Sequence, residues 1–135
     1  MENLENKNTV SSKNQVSNRV FFEGKENGSP RIMFAGNSIT LHGVKEDIGW
    51  EHEWGMAASK KENDYVHLVM SDVQKSDSDA SFCICQVANW EVHYKNGSSV
   101  YDMYDVARDF KADIIIIRFV ENCSVDGFEE DDEHT

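Results

Sequence analysis

Ser38 is the first residue whose type and setting suggest chemistry. It lies in Gly36-Asn37-Ser38-Ile39-Thr40, directly after the short apolar run RIMFAG at 31–36. A serine on a tight turn leaving a buried strand has its Oγ lifted clear of the sheet. Backbone N–H groups beyond it point at one spot, and such groups can stabilise an oxyanion. By itself Gly-Asn-Ser is ordinary loop or helix-cap chemistry. Asn122 stands in a matching place, after the apolar run DIIIIRFV at 113–120, where its side-chain N–H can be aimed at the same mouth. The pair says more than either residue, because open α/β sheets build their sites beyond the carboxyl ends of neighbouring strands.

The elements that must position these residues can be read from pattern. The runs at 31–36, 82–88 (FCICQVA) and 113–120 are apolar on both faces. Such strands belong to a parallel sheet covered by helices. Between them, Val66, Val69, Met70 and Val73 make one helical stripe over 63–75, with Asn63 or Asp64 as its cap. Val100, Met103, Tyr104 and Ala107 repeat the stripe, and Ser99 with Asp102 resembles a capping box. Trp50, Trp54, Ala57 and Ala58 predict a shorter helix over 50–59. The order β-α-α-β-α-β predicts a doubly wound α/β sheet with the first run central and the third at an edge.

At these residues the chain resembles a known family. RIMFAGNSIT is similar to the first block of the SGNH (GDSL-type) hydrolases, with Asn37 where many members have Asp. DIIIIRFVENC resembles the third block, with Asn122 in the place of the block Asn. The stretch GNSITLHG…GW…WGMAAS…DYVH resembles a bacterial subgroup of the same family. The resemblance spans roughly residues 19–123. It implies a three-layer, flavodoxin-like α/β fold, present in truncated form, with helices on both faces of a parallel sheet. It also implies ester hydrolysis by acyl transfer to Ser38, on small acyl or carbohydrate esters, with no cofactor and no metal. Ser38 would be the nucleophile and give a backbone N–H to the oxyanion hole, and Asn122 would give a side-chain N–H. The family's second block supplies a glycine N–H. Here Val87-Ala88-Asn89-Trp90-Glu91 stands in that place, and the donor is either the backbone of Ala88 or Asn89 or the Asn89 side chain.

The larger departure is the base. The family's catalytic His, with an Asp three residues before it, follows further strand and helix units beyond the third block. Asp131-Asp132-Glu133-His134 spells D-x-x-H only 12 residues after Asn122, inside an acidic run, and reads as coincidence. His67 lies beside an apolar helical stripe and reads as packing or interfacial, His52 as a surface helix residue. His42 is close in sequence to the serine turn, but its loop cannot easily fold back to serve as base. His93 is the one histidine kept as a candidate lining residue. Trp54 reads as core, while Trp50 and Trp90 stay open between core and a sugar-stacking wall. The alternative reading is therefore a truncated, non-catalytic fragment of such a hydrolase.

Composition sets the outer bounds. In 135 residues, 25 Asp and Glu against 13 Lys and Arg give a net charge of −12. That field repels phosphate backbones and anionic membrane surfaces, so neither nucleic acid nor membrane is an expected partner. The longest apolar clusters fall far short of the ~18 residues of a membrane span. The N-terminal MENLENKNTV lacks a signal-peptide pattern, which makes the expected location cytoplasmic. Residues 1–18 read as a disordered polar leader, 19–123 as the partial hydrolase domain and 124–135 as an acidic tail. Cys83 and Cys85, two apart in an apolar run, fit a buried strand rather than disulfide or zinc chemistry. The third run, four isoleucines at a sheet edge, is expected to promote self-association.

Overall fold

The computed structural model describes residues 20–96 and 101–123. Four strands form one open sheet: β1 (Val20–Gly24), β2 (Arg31–Gly36), β3 (Ser81–Gln86) and β4 (Ile114–Arg118), in the order β1-β3-β2-β4. β2 runs parallel to both β3 and β4, pairing Phe34 with Ile84 on one side and with Ile116 on the other. The RIMFAG run is thus central and the isoleucine run is an edge, as its pattern predicts. The sheet is not wholly parallel. β1 adds an antiparallel strand beside β3, from Val20 opposite Cys85 to Gly24 opposite Ser81. Its sequence, VFFEG, carried no signal because a strand paired on one side only buries little. Val20 is fully buried, while Phe21 and Phe22 are exposed.

Among the described residues, α-helices lie between β2 and β3 and between β3 and β4. Helix α1 (Tyr65–Ser76) starts at Asp64, whose Oδ1 accepts the His67 backbone N–H at 2.8 Å. Helix α2 (Ala88–His93) follows β3 at once, and α3 (Asp105–Asp109) precedes β4. Ser99 and Val100 of the predicted capping box and stripe lie outside the described residues. So do residues 1–19 and 124–135, with His134. Among the described residues no helix is long and apolar enough to cross a membrane.

Strand alternation splits the core in two. Ile32, Phe34, Phe82 and Ile84 pack with Val66 and Met70 of α1. Met33, Ala35, Cys83 and Cys85 pack with Val20, Val87, Tyr104, Ala107 and Phe110. Both cysteines therefore share one face, as C-x-C in a strand requires. Burial pushes both thiols up, Cys85 to about 12, so neither is a nucleophile at neutral pH.

The predicted helix over 50–59 does not form. The segment instead bonds back to the stretch before it, with Lys45 N–H donating to Trp50 O at 2.7 Å and His42 N–H to Trp54 O at 3.1 Å. Gly49 and Ala57 both adopt positive φ, which a helix forbids. Trp50 and Trp54 still meet, edge to face at 6.0 Å, so the i,i+4 spacing reported a real contact but not a helical one.

Candidate functional site

The serine turn is built by close packing around glycine. Thr40 N–H and Leu41 N–H both donate to Asn37 O, at 2.9 and 3.1 Å, and close the turn over β2. A Cβ at Gly36 would lie 1.8 Å from Thr40 Oγ1 and 2.7 Å from Arg118 O, so only glycine lets the turn fold back over the neighbouring strand. Ser38 sits half-buried on this turn. Its carbonyl accepts the Met56 N–H at 2.9 Å, and the Thr40 hydroxyl bonds the Tyr65 hydroxyl of α1 at 2.6 Å. The segment behind the turn is anchored where Gly55 N–H donates to Asp64 Oδ2 at 3.0 Å.

Ser38 and Asn122 follow the carboxyl ends of the adjacent parallel strands β2 and β4. The link between them is Glu91, which pattern reading passed over. Its side chain is fully buried in α2. Oε2 accepts Asn122 Nδ2–H at 2.6 Å, and Oε1 accepts the Val120 backbone N–H at 2.5 Å and Asn37 Nδ2–H at 3.5 Å. The available signal was a lone acidic residue in Ala88-Asn89-Trp90-Glu91-Val92, directly after a buried strand. Asn89 is spent differently. Its Nδ2 donates to Met103 Sδ at 3.1 Å, in the packing around the Cys83–Cys85 face. Trp90 packs edge to face on Phe119 at 5.4 Å, and His93 is exposed at the end of α2.

Asn37 is the polar centre of the turn. Its Nδ2 donates to Glu121 Oε2 at 2.7 Å as well as to Glu91, while its Oδ1 accepts from Arg118 Nη1 at 3.2 Å. Arg118 also pairs with Glu121. A hydrogen bond from its own backbone N–H, then Arg118 and Asn37, hold the Glu121 carboxyl below the usual carboxylate range. Between two carboxyl groups an amide donor is required, which accounts for Asn at a position where the resembled block has Asp. Asn37→Asp is expected to destabilise the fold by about 1–3 kcal/mol, since an acceptor would then face two acceptors. Urea unfolding at neutral pH measures this, and an unchanged midpoint would refute it.

Three histidines have partners of their own. His42 Nδ1 meets Gly43 O at 2.6 Å, and His52 stacks on Trp54 at 4.0 Å. His67 lies between Asp64 Oδ1, at 2.7 Å from Nδ1, and Glu23 Oε2, at 2.6 Å from Nε2. An open depression of about 530 Å³ lies there, lined by Glu23, Lys61, His67 and Met70 among others; Ser38, Asn89 and Asn122 do not line it. No group of metal-ligating side chains is found among the described residues. Comparison of the chain with family models, with curated proteins and with solved structures finds no match.

Proposed function

We propose that the chain carries the nucleophile and oxyanion-binding half of an SGNH-type serine ester hydrolase on a three-layer, flavodoxin-like domain. The observation that supports this reading is the placement of Ser38, on its glycine-dependent turn, and Asn122, bonded to Glu91, after the carboxyl ends of adjacent parallel strands. In the reaction Ser38 Oγ adds to an ester carbonyl, its proton passes to a base, and the alcohol leaves with a proton. Water then cleaves the acyl-enzyme. Asn122 N–H stabilises the oxyanion formed at each addition. Small acyl and carbohydrate esters are the proposed substrates, and the cytoplasm the proposed location.

A second reading is a protein that keeps this half-site without turnover: among the described residues His42 is bonded to Gly43 O, His52 is stacked on Trp54, and His67 is held by Asp64 and Glu23. An unassisted serine hydroxyl is a weak nucleophile, and removal of one triad member leaves only the roughly 10³–10⁴-fold residual catalysis of oxyanion hole and binding. Hydrolysis of p-nitrophenyl acetate is therefore expected barely above background, and nearly unchanged in Ser38→Ala.

The test of the half-site is covalent labelling. An aryl fluorophosphonate at high concentration, read by peptide mass spectrometry, is expected to modify Ser38 slowly but in preference to every other serine. Heat unfolding should erase the preference. Labelling spread evenly over the serines would overturn the proposal.

A further inference from the structure

The acyl transfer proposed above makes no direct use of the most deeply buried acid in the site. A glutamate is almost never fully buried unless paired. Yet the partners of Glu91 among the described residues are three uncharged N–H donors, and they come from two segments: Asn37 of the serine turn, and Val120 with Asn122 in the stretch after β4. One of these segments is strained. Val120 has φ 120°, a β-branched residue in a region such residues rarely enter, and its N–H is the one that Glu91 holds at 2.5 Å. A distorted exit from β4 thus turns the chain so that Asn122, two residues on, reaches back to Glu91.

We infer that Glu91 is a positioning residue for oxyanion stabilisation, acting through Asn122. An amide nitrogen carries two hydrogens. One is fixed on Glu91 Oε2 at 2.6 Å, which sets the plane of the Asn122 amide and leaves the other hydrogen for a substrate oxygen. The Val120 contact fixes the backbone that carries Asn122, and the Asn37 contact ties the same carboxyl to the turn that carries Ser38. Glutamine at 91 cannot replace it. Its NH2 would face either Asn122 Nδ2 or the Val120 N–H, donor against donor. This inference rests on the ester-hydrolase reading.

The experiment is a double-mutant cycle on the rate of Ser38 labelling by the aryl fluorophosphonate, in wild type, Glu91→Gln, Asn122→Ala and the double variant. Loss of one oxyanion donor costs about 10²–10³-fold in known cases, so Asn122→Ala is expected to slow labelling by roughly that factor and Glu91→Gln by about tenfold or more. The double variant should be no slower than Asn122→Ala, because Glu91 acts through the residue already removed. A Glu91→Gln variant that labels at the wild-type rate, or a double loss equal to the product of the single losses, would overturn the positioning role. A wild type that labels Ser38 no faster than its other serines would instead overturn the ester-hydrolase reading, and the inference with it. Should Glu91→Gln fail to fold, NMR of the wild-type chain decides. One Asn122 side-chain amide proton is expected downfield and slow to exchange, and two rapidly exchanging, near-degenerate protons would overturn the inference.

Discussion

Raising NaCl from about 0.02 to 0.5 M is expected to shift the purified chain from a monomer to heavier species in sedimentation velocity. Salt at the upper end shortens the screening length from roughly 20 Å to a few ångström and so removes the repulsion between chains of like charge. Each chain carries a net charge of −12, which opposes contact at low salt. What draws the chains together is β4. Among the described residues its one strand partner is β2. Ile114, Ile115 and Ile117 are 52%, 54% and 64% exposed, and Arg118 is its one charged residue. A long apolar edge with unpaired N–H and C=O groups is a template for another strand. Ile117→Lys, a charge placed at the most exposed of the three, should keep the chain monomeric at the highest salt. A single sedimenting species for the unmodified chain across the whole range would rule out association through this edge.

The second large effect is expected at Asp64. Its carboxyl is almost fully buried and has three partners: the His67 N–H at the start of α1, the His67 ring, and the Gly55 N–H behind the serine turn. Asp64→Ala would remove the helix cap, leave two N–H groups short of an acceptor and leave the partly buried His67 with Glu23 alone. The cost of breaking such a pair is about 3–5 kcal/mol, a large part of the stability of a small domain. Chemical unfolding reads it, and a loss below about 1 kcal/mol would show that Asp64 holds nothing essential.

The same cluster dictates a pH profile. Burial opposes the charge on His67, but hydrogen bonds and charge from Glu23 and Asp64 outweigh it and hold the imidazole above its ordinary value of 6.5. The resulting stabilisation is complete below 6.5 and is lost as pH rises through the raised value. Burial likewise opposes charge on Glu23, but His67 and Lys61 outweigh it and hold this carboxyl below its ordinary 4.5. Its contribution is complete above 4.5 and is lost as pH falls through the lowered value. Both are fully present only between 4.5 and 6.5. His67→Gln should therefore flatten the decline of stability on the alkaline side of that window. An unaltered alkaline limb would dismiss His67 as its origin.

How much of this was legible in the sequence depends on the range of the interactions involved. β2 and β3 are buried runs and β4 is an apolar but largely exposed one, and in all three the apolar residues announce themselves locally, as the stripe from Val66 to Val73 does for α1. Asp64 was named as a possible cap because capping is decided within one turn. β1 was not seen, since its strand character depends on pairing with residues about 60 positions later in the chain. The 50–59 segment was misread because the tryptophan spacing suits a helix, while Gly49, Ala57 and the bonds to 42–45 decide otherwise. Ser38 and Asn122 were paired by the strand-end rule alone. Glu91 was missed because its partners at 37, 120 and 122 become neighbours only once the sheet exists. For the same reason Asn37 looked like a departure from a motif until its two acidic neighbours were in place.

The two borders of the sheet are unlike, and the difference has a consequence for symmetry. β1, as long as β4, ends at Gly24 and carries Glu23, tied by His67 and Lys61, beside the exposed Phe21 and Phe22. β4 is bare isoleucine with a single terminal arginine. A chain that associates through β4 is expected to join like to like, β4 against β4, about a two-fold axis. Such an isologous contact consumes both adhesive borders and closes at two copies. Joining β4 to β1 would instead be heterologous and would propagate into a filament without a natural end. On this expectation Glu23, the one charged residue of β1, bears on whether assembly stops, although the force expected to drive it lies at the opposite margin of the sheet.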